Sequence, residues 1–138
     1  MQMFSCELTC QSQLIDFPVE HVRWLDLRED WVLIATHYQR LGMAIVPADF
    51  PEDQWRLCAW VEGGEIRSMA GVIFMTTKNW EIGAVSTHPL YFSRGYAKAV
   101  CAFAACYILT NGKRATCNTA ADNLAMQRVM RAIGMVSQ

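Results

Sequence analysis

The spacing of hydrophobic residues changes along the chain, and each spacing predicts a different kind of element. Near the start, apolar and polar residues alternate from Phe4 to Cys10, which predicts a first β-strand. After Pro18 the apolar residues recur every three or four positions, which predicts one helix or two abutting helices that end near Gly42. The charged run at 28–30 would mark the break between two helices. The stripe consists of Trp24, Leu27, Trp31, Ile34, Tyr38 and Leu41.

Three strand-like runs follow a loop with the sequence PADFPEDQ. They cover residues 55–62, 66–75 and 80–88. The first two are joined by Glu62-Gly63-Gly64-Glu65, a tight turn in which glycine permits a positive φ. The three runs therefore predict an antiparallel meander.

The last third of the chain predicts a helix, a short strand and a second helix. The first helix runs from about Arg94 to Thr110, and the strand covers 114–120. Because a helix links the meander to this strand, the strand is expected to pair in parallel, as in a crossover unit. Asp122 is expected to cap the final helix. One face of that helix is apolar: Met126, Val129, Met130 and Ile133.

Composition limits the class of protein. The chain has 138 residues, which fits one domain over residues 1–138, and 53% of them are hydrophobic, which argues against disorder. The net charge is −1 and no Lys/Arg run exists, so no nucleic-acid partner is expected. The start lacks the features of a signal peptide, and the longest apolar stretch is about half the roughly 20 residues of a membrane span. We expect a soluble, cytoplasmic protein without a membrane partner.

The six cysteines do not form a recognisable metal site. None of them is spaced as C-x-x-C, and no Cys/His group repeats at zinc-ligand intervals. Buried, reduced thiols that act as small hydrophobic side chains are the favoured interpretation, and no metal is expected.

The run STHPLYFSRGYAKAV, residues 86–100, is a candidate binding site. A turn that contains glycine leads directly into an alanine-rich helix. The free N–H groups at such a helix start bind anions, phosphate above all. Many ordinary helices begin in the same way, so both interpretations stay open at this point.

Three motifs in this order resemble the GNAT superfamily of acetyl-CoA-dependent N-acetyltransferases, from about Trp55 to Met135. Glu62–Glu65 resembles the second hairpin of the family, residues 85–100 its acetyl-CoA motif, and TAADNLAMQRVMRAIGM its closing motif. The resemblance implies an α/β (α+β) fold with a mixed, mostly antiparallel central sheet flanked by helices. A parallel crossover would form the acetyl-CoA site.

The resemblance implies acetyl-CoA as the cosubstrate. The Q/R-x-x-G-x-G/A loop of the family corresponds to residues 92–97, with Gly95 and Ala97 at the two small positions and Phe92 where the family has Gln or Arg. Arg94 and Lys98 are either substitutes for that contact or solvated charges, and Asn123 is either a cofactor contact or an ordinary helix start. The implied cofactor residues are Val85 and Thr87 through their main chain, Phe92, Ser93, Arg94, Gly95, Tyr96, Ala97, Lys98, Asn123 and Met130.

The same resemblance implies the catalytic candidates. In many members a Tyr seven residues beyond the motif Asn is the acid, but that position is Met130 here, which cannot donate a proton. Tyr91, Tyr96 and Tyr107 are equal candidates for the acid, and packing as amphipathic aromatic side chains is the alternative for all three.

For the base, Glu81 corresponds to a glutamate that histone-acetylating members carry eleven residues before the loop. A regular strand would place it on one face with Gly83, Val85 and Thr87. A solvated strand-start charge is the alternative. His88 is a second candidate for the base. Because it precedes Pro89, the alternative is that it only shapes the turn.

Two functions compete. The first is an N-acetyltransferase that moves acetyl from acetyl-CoA to a primary amine, on a small molecule or a protein, by direct attack in a ternary complex. The second is a non-catalytic acyl-CoA-binding or protein-interaction module with the same fold. Met130 favours the module, whereas Glu81 and the Gly95/Ala97 loop favour the enzyme. The acceptor would bind near residues 24–50. Four aromatic residues there or nearby line a pocket or, alternatively, form part of the core: Trp24, Trp31, Tyr38 and Trp55.

The end of the printed sequence leads to an expectation about assembly. Only three residues follow Met135, too few for the additional strands that family members usually have. The strand at 114–120 would then be a sheet edge, and an edge invites pairing with another chain. A two-fold homodimer is expected, unless the first strand, 3–10, takes that place instead.

Overall fold

The computed structural model describes residues 3–10 and 13–137. The described residues form one seven-stranded sheet with three helices, in a mixed α/β arrangement. The strands are β1 (Met3–Leu8), β2 (Val22–Trp24), β3 (Trp55–Glu62), β4 (Glu65–Ile73), β5 (Asn79–Thr87), β6 (Arg114–Ala120) and β7 (Val136–Ser137). The helices are α1 (Trp31–Arg40), α2 (Tyr96–Thr110) and α3 (Leu124–Ala132). None of the helices in these ranges has the length and apolar character needed to cross a membrane.

The sheet has the strand order β2-β3-β4-β5-β6-β1-β7. Strands β3, β4 and β5 form the predicted antiparallel meander, and α2 carries the chain across to β6, which pairs with β5 in parallel. The mostly antiparallel sheet with a parallel crossover is therefore confirmed.

The prediction of one helix or two abutting helices between Pro18 and Gly42 is wrong in its first half. Residues Val22–Trp24 pair with β3 as an edge strand, and α1 begins only at Trp31. Asp30 holds the turn between them, because its carboxylate accepts hydrogen bonds from the Arg23 guanidinium at 3.0 Å and from the Asp26 N–H at 2.7 Å. The stripe that suggested one helix thus belongs to two elements.

The side chains of β2 and α1 in this stripe pack on opposite faces of the sheet. Trp24 lies among the side chains under α2, with its ring 4.7 Å from that of Tyr107. Ile34 and Tyr38 of α1 pack instead with Leu57 and Met69 on the other face. Because α2 is rich in alanine and cysteine, it approaches the sheet closely and is buried along much of its length.

The cap of α3 also differs from the prediction. Asn123, rather than Asp122, is the N-cap residue, and its side-chain oxygen accepts a hydrogen bond from the Met126 N–H at 3.1 Å. A capping bond of this kind satisfies one of the free N–H groups of the first turn. The capping role that was predicted for Asp122 therefore belongs to Asn123.

Strand β6 is not an edge. It lies between β5 and β1, and β1 pairs with it along six positions, from Met3↔Ala120 to Leu8↔Ala115. The alternative placement of the first strand is therefore correct, and the reason for expecting a homodimer is removed.

The cysteine prediction holds for part of the set. Cys6, Cys58, Cys101 and Cys117 are buried and free, whereas Cys10 and Cys106 are exposed. Burial raises the pKa of the Cys58 thiol to about 12, so this thiol stays protonated and packs as a small apolar group. No group of three or more potential metal ligands occurs within the described ranges.

Candidate functional site

A cleft opens where β5 and β6 separate. The two strands pair only from Asn79–Glu81 to Arg114–Thr116, although β5 continues to Thr87 and β6 to Ala120. Beyond Glu81 the facing edges diverge and leave a cleft of about 720 Å³. This volume lies in the usual range for small-molecule and cofactor sites. Main-chain groups on these edges are then free to bind an extended ligand.

A β-bulge shapes the β5 wall of the cleft. The pairing of β4 with β5 shifts by one residue between Gly71↔Gly83 and Met69↔Ser86, and Ala84 in this stretch has a φ of +50°. Within residues 3–10 and 13–137, Ala84 and Ser93 are the two non-glycine residues with positive φ, and both line the cleft. Strained backbone of this kind concentrates at functional sites.

The far end of the cleft is formed by a loop and the start of α2. Gly95 is the N-cap of α2 with a φ of +85°, and a Cβ atom added there would meet no protein atom within 4 Å. The first turn of α2 contains no acidic residue, so its free N–H groups and the positive end of the helix dipole are not neutralised locally. Arg94 and Lys98 lie beside this turn and also line the cleft. The arrangement suits an anionic group.

The structure brings most of the predicted cofactor residues together. The cleft is lined by Val85, Thr87, Phe92, Ser93, Arg94, Gly95, Tyr96, Ala97, Lys98 and Asn123. Met130 is the exception, because it is fully buried in the core and α3 presents Ala125, Met126, Arg128 and Val129 to the cleft instead.

Glu81 occupies the last paired position of β5 and β6, at the apex from which the two strands diverge, but it is not among the residues that line the cleft. Its carboxylate accepts a hydrogen bond from the Asn118 side-chain amide, and the Asn118 oxygen accepts one from the Ser5 hydroxyl at 2.5 Å. Asn118 itself lines the cleft. The sequence analysis did not identify Asn118, because its proximity depends on the pairing of β6 with both β5 and β1.

The bulge changes which residues share a face with Glu81. Glu81 and Gly83 oppose Ile73 and Gly71, but the shift places Ser86 opposite Met69 on that same face. Thr87 opposes Ser68 and lies on the other face, so the expected shared face of Glu81 and Thr87 is wrong. One extra residue in a strand reverses the alternation beyond it.

His88 is placed to shape the turn. The residue is 7% exposed, and its Nδ1 accepts a hydrogen bond from the Leu90 N–H at 3.1 Å. Its ring also packs against Tyr91, with centroids 5.0 Å apart. His88 is not among the residues that line the cleft. This geometry favours the turn-shaping alternative for His88.

Ser86 lines the cleft and forms a polar pair with the buried His37, and the sequence analysis did not identify this pair. Its hydroxyl lies 2.8 Å from the Nε2 atom of His37, which is fully buried in α1. Burial, together with the nearby His88 and Arg40, lowers the pKa of His37 to about 4, so its ring is neutral at physiological pH. This contact joins α1 to β5, and no local pattern in the sequence indicates it.

The aromatic residues of 24–55 belong mainly to the packing described above. Trp24 packs under α2, and the Tyr38 ring lies 5.9 Å from that of Phe50 in the opposite core. Trp55 contacts a second cavity of about 260 Å³ near Leu25 and Phe74. The interpretation as core is therefore correct for Trp24 and Tyr38.

Comparison with known protein families gives a match over the residues that form the cleft. A family model described as the acetyltransferase (GNAT) family matches residues 19–135. The chain belongs to the GNAT acetyltransferase family. No curated protein matches the chain in the comparison.

Solved structures agree with this membership. A GNAT-family protein from Novosphingobium aromaticivorans superposes with a TM-score of 0.78 at 14% identity, over 100% of this chain and 62% of its own. An acetyltransferase of the GNAT family from Colwellia psychrerythraea gives 0.77 at 17% identity, over 99% and 53%. The present chain thus spans little more than half the length of these proteins.

A third solved structure contains CoA. The aminoglycoside N-acetyltransferase AAC(6')-Iy in complex with CoA has a TM-score of 0.66 at 15% identity, over 82% of this chain and 89% of its own. At this identity the likeness concerns the fold alone. One of the solved structures with a fold similar to that of the present chain is therefore a complex with CoA.

Proposed function

We propose that this GNAT domain transfers an acetyl group from acetyl-CoA to a primary amine, by direct attack in a ternary complex. The observation that supports the proposal most strongly is the cleft between β5 and β6, with a helix start at one end and unpaired strand edges at the other. When bound, acetyl-CoA supplies a thioester whose acetyl group is activated for transfer. The chain supplies binding, orientation and a proton acceptor.

The start of α2 fits the pyrophosphate of coenzyme A. The N–H groups of its first turn point along the helix axis toward the loop, where negative charge is favoured. Gly95 leaves open space beside this turn, and Arg94 and Lys98 add positive charge at its rim. Phe92 is 59% exposed and offers an apolar surface where many GNAT members have a polar side chain. Phosphate binding would therefore depend on the main chain.

The separated strands fit the pantetheine arm. Its amide groups are suited to the main-chain N–H and C=O groups that β5 leaves unpaired beyond Glu81. Met126 and Val129 of α3 form an apolar wall for its methylene groups. The bulge at Ala84 redirects the main chain near the apex, where the thioester would lie.

Glu81 is the proposed proton acceptor. As the bond from the amine nitrogen to the acetyl carbon forms, the bond from that carbon to sulfur breaks. The proton released by the nitrogen moves to the Glu81 carboxylate, directly or through one water, and the sulfur leaves as a thiolate. The amide of Asn118 would hold the carboxylate in place. Met130 is apolar and fully buried, so it cannot protonate the thiolate. The proton would come from water or from Tyr91 or Tyr96, which line the cleft.

The buried Met130 also supports a second candidate, a non-catalytic acyl-CoA-binding or protein-interaction module. The two functions are separated by incubating the protein with acetyl-CoA and a panel of primary amines. Free CoA is measured with a thiol reagent, and CoA binding is measured by calorimetry. Amine-dependent release of CoA supports the transferase. Binding of CoA without release supports the acyl-CoA-binding module. The absence of CoA binding contradicts both the transferase and the acyl-CoA-binding module and leaves the protein-interaction module.

A further inference from the structure

We propose that Arg67 is a positioning residue that holds the phosphate-binding loop in shape by clamping Tyr91 and Tyr96, the two tyrosines that flank residues 92–95. The proposal rests on the proposed function of the cleft. Arg67 itself does not line the cleft, so it would act through the tyrosines.

A second β-bulge places Arg67 at this position. The pairing of β3 with β4 shifts by one residue between Trp60↔Ser68 and Val61↔Ile66, which leaves Arg67 as the extra residue on β4. A bulge re-aims the side chain that it carries, and bulges are frequent beside active sites. The Arg67 carbonyl also accepts a hydrogen bond from the His88 N–H at 2.8 Å, which ties β4 to the start of the loop.

The guanidinium of Arg67 contacts both tyrosines. Its Nη1 atom donates a hydrogen bond to the Tyr96 hydroxyl at 3.0 Å, and its Cζ atom lies 4.4 Å from the centroid of the Tyr91 ring. The Arg67 side chain is only 19% exposed. A planar cation over an aromatic face is attracted by the ring quadrupole, more strongly when the pair is shielded from water. One side chain thereby joins the residue before the loop to the first residue of α2.

Two carboxylates from the turn of the β3–β4 hairpin complete the clamp. Glu62 lies 3.4 Å from Nη1 of Arg67, and Glu65 accepts a hydrogen bond from the Tyr91 hydroxyl at 2.5 Å. That hydrogen bond, with nearby positive charge, lowers the pKa of Glu65, which keeps the carboxylate ionised at neutral pH. The Tyr96 ring also packs on Trp60, with centroids 4.5 Å apart.

The loop between the tyrosines requires such support. Ser93 holds a φ of +62°, a conformation that is uncommon for a residue other than glycine, and it is followed two positions later by Gly95 with a φ of +85°. Strained backbone persists only where its surroundings fix it. If Tyr91 and Tyr96 lose their common partner, the loop samples other conformations, and its N–H groups no longer converge on one phosphate position. Ligand binding then has to order the loop, which weakens affinity.

The test compares wild type with Arg67→Met, which keeps much of the length of the side chain but removes its charge and its hydrogen bond to Tyr96. We expect the affinity for CoA, measured by calorimetry, to fall about tenfold or more. The KM for acetyl-pantetheine, which lacks the nucleotide and its pyrophosphate, should change little. Arg56→Met is the matched control: the Arg56 guanidinium stacks on Trp24 at 4.1 Å and on Tyr107 at 4.9 Å, away from the loop. It should leave the affinity for CoA unchanged.

Tyr96→Phe keeps the test decisive if Arg67→Met does not fold. This variant retains the ring and removes the hydrogen bond with Arg67, so a smaller loss of CoA affinity, of about threefold, is expected. Wild-type affinity for CoA in both Tyr96→Phe and a folded Arg67→Met would overturn the inference. A rise in the KM for acetyl-pantetheine as large as the fall in the affinity for CoA would also overturn the inference, because the effect would then not concern the phosphate-binding loop. If wild type itself does not bind CoA, the proposed function fails, and the inference fails with it.

Discussion

Lowering the pH should destabilise this protein through His37 before the carboxylates are protonated. In the folded chain the ring is fully buried against Ser86, and its pKa is lowered to about 4, chiefly by burial. In the unfolded chain a histidine has a pKa of about 6.5. Between these two values the unfolded state binds more protons than the folded state, so the free energy of unfolding falls as the pH falls.

The size of the effect follows from the two pKa values. Each full pH unit within the window changes the free energy of unfolding by up to about 1.4 kcal/mol. Integrated from pH 7.5 to pH 4.5, the loss from His37 is about 2.5 kcal/mol. This is a large fraction of the about 5–15 kcal/mol that stabilises a typical domain.

The assay is urea unfolding of wild type and His37→Gln at a series of pH values. Glutamine does not titrate, so its stability lacks this contribution, while carboxylates with lowered pKa, such as Asp30 and Glu65, are present in both proteins. The advantage of wild type over the variant should shrink by about 2.5 kcal/mol between pH 7.5 and 4.5. An advantage that stays constant over this range would refute the reasoning, because His37 would then titrate alike in both states.

Two further predictions concern the base and the backbone. Glu81→Gln should lower the rate of acetyl transfer at neutral pH by about 10²–10⁴-fold with little change in CoA affinity; a near-normal rate would demote Glu81 to a structural residue. Gly134→Ala should destabilise the fold by about 3 kcal/mol or more, because its φ is +103° and a Cβ atom would lie 1.9 Å from the Gln13 carbonyl oxygen. Gly42→Ala, with a φ of +75° and open space, should cost only about 1 kcal/mol in denaturant unfolding; equal losses would contradict the steric argument.

The elements that the sequence predicted correctly are those set by local pattern. The strands of the meander alternate or are joined by glycines that their turn requires, and Gly63 and Gly64 both have positive φ. The loop before α2 was found for the same reason, since Gly95 and the alanine-rich run are adjacent. In contrast, β2 is three residues long and exists because it pairs with β3, and its spacing from α1 imitates a helical stripe.

The parts of the site that were missed depend on non-local pairing. The bulges at Arg67 and Ala84 appear only when two strands are aligned, and no residue type at either position requires one. Consequently the contact of Arg67 with Tyr96, and that of His37 with Ser86, could not be predicted. The position of Asn118 beside Glu81 likewise requires knowing that β1 and β5 flank β6.

The central claim is that the start of α2 binds the phosphates of coenzyme A, and calorimetric titration of CoA into Gly95→Glu tests it most directly. Gly112→Glu is the matched control, because Gly112 lies just beyond the opposite end of the same helix, also has a positive φ, and also faces open space. The account predicts that wild type and Gly112→Glu bind CoA alike, whereas a side chain and a negative charge at residue 95 abolish binding while circular dichroism shows a folded protein. Equal CoA affinity in the two variants would contradict it.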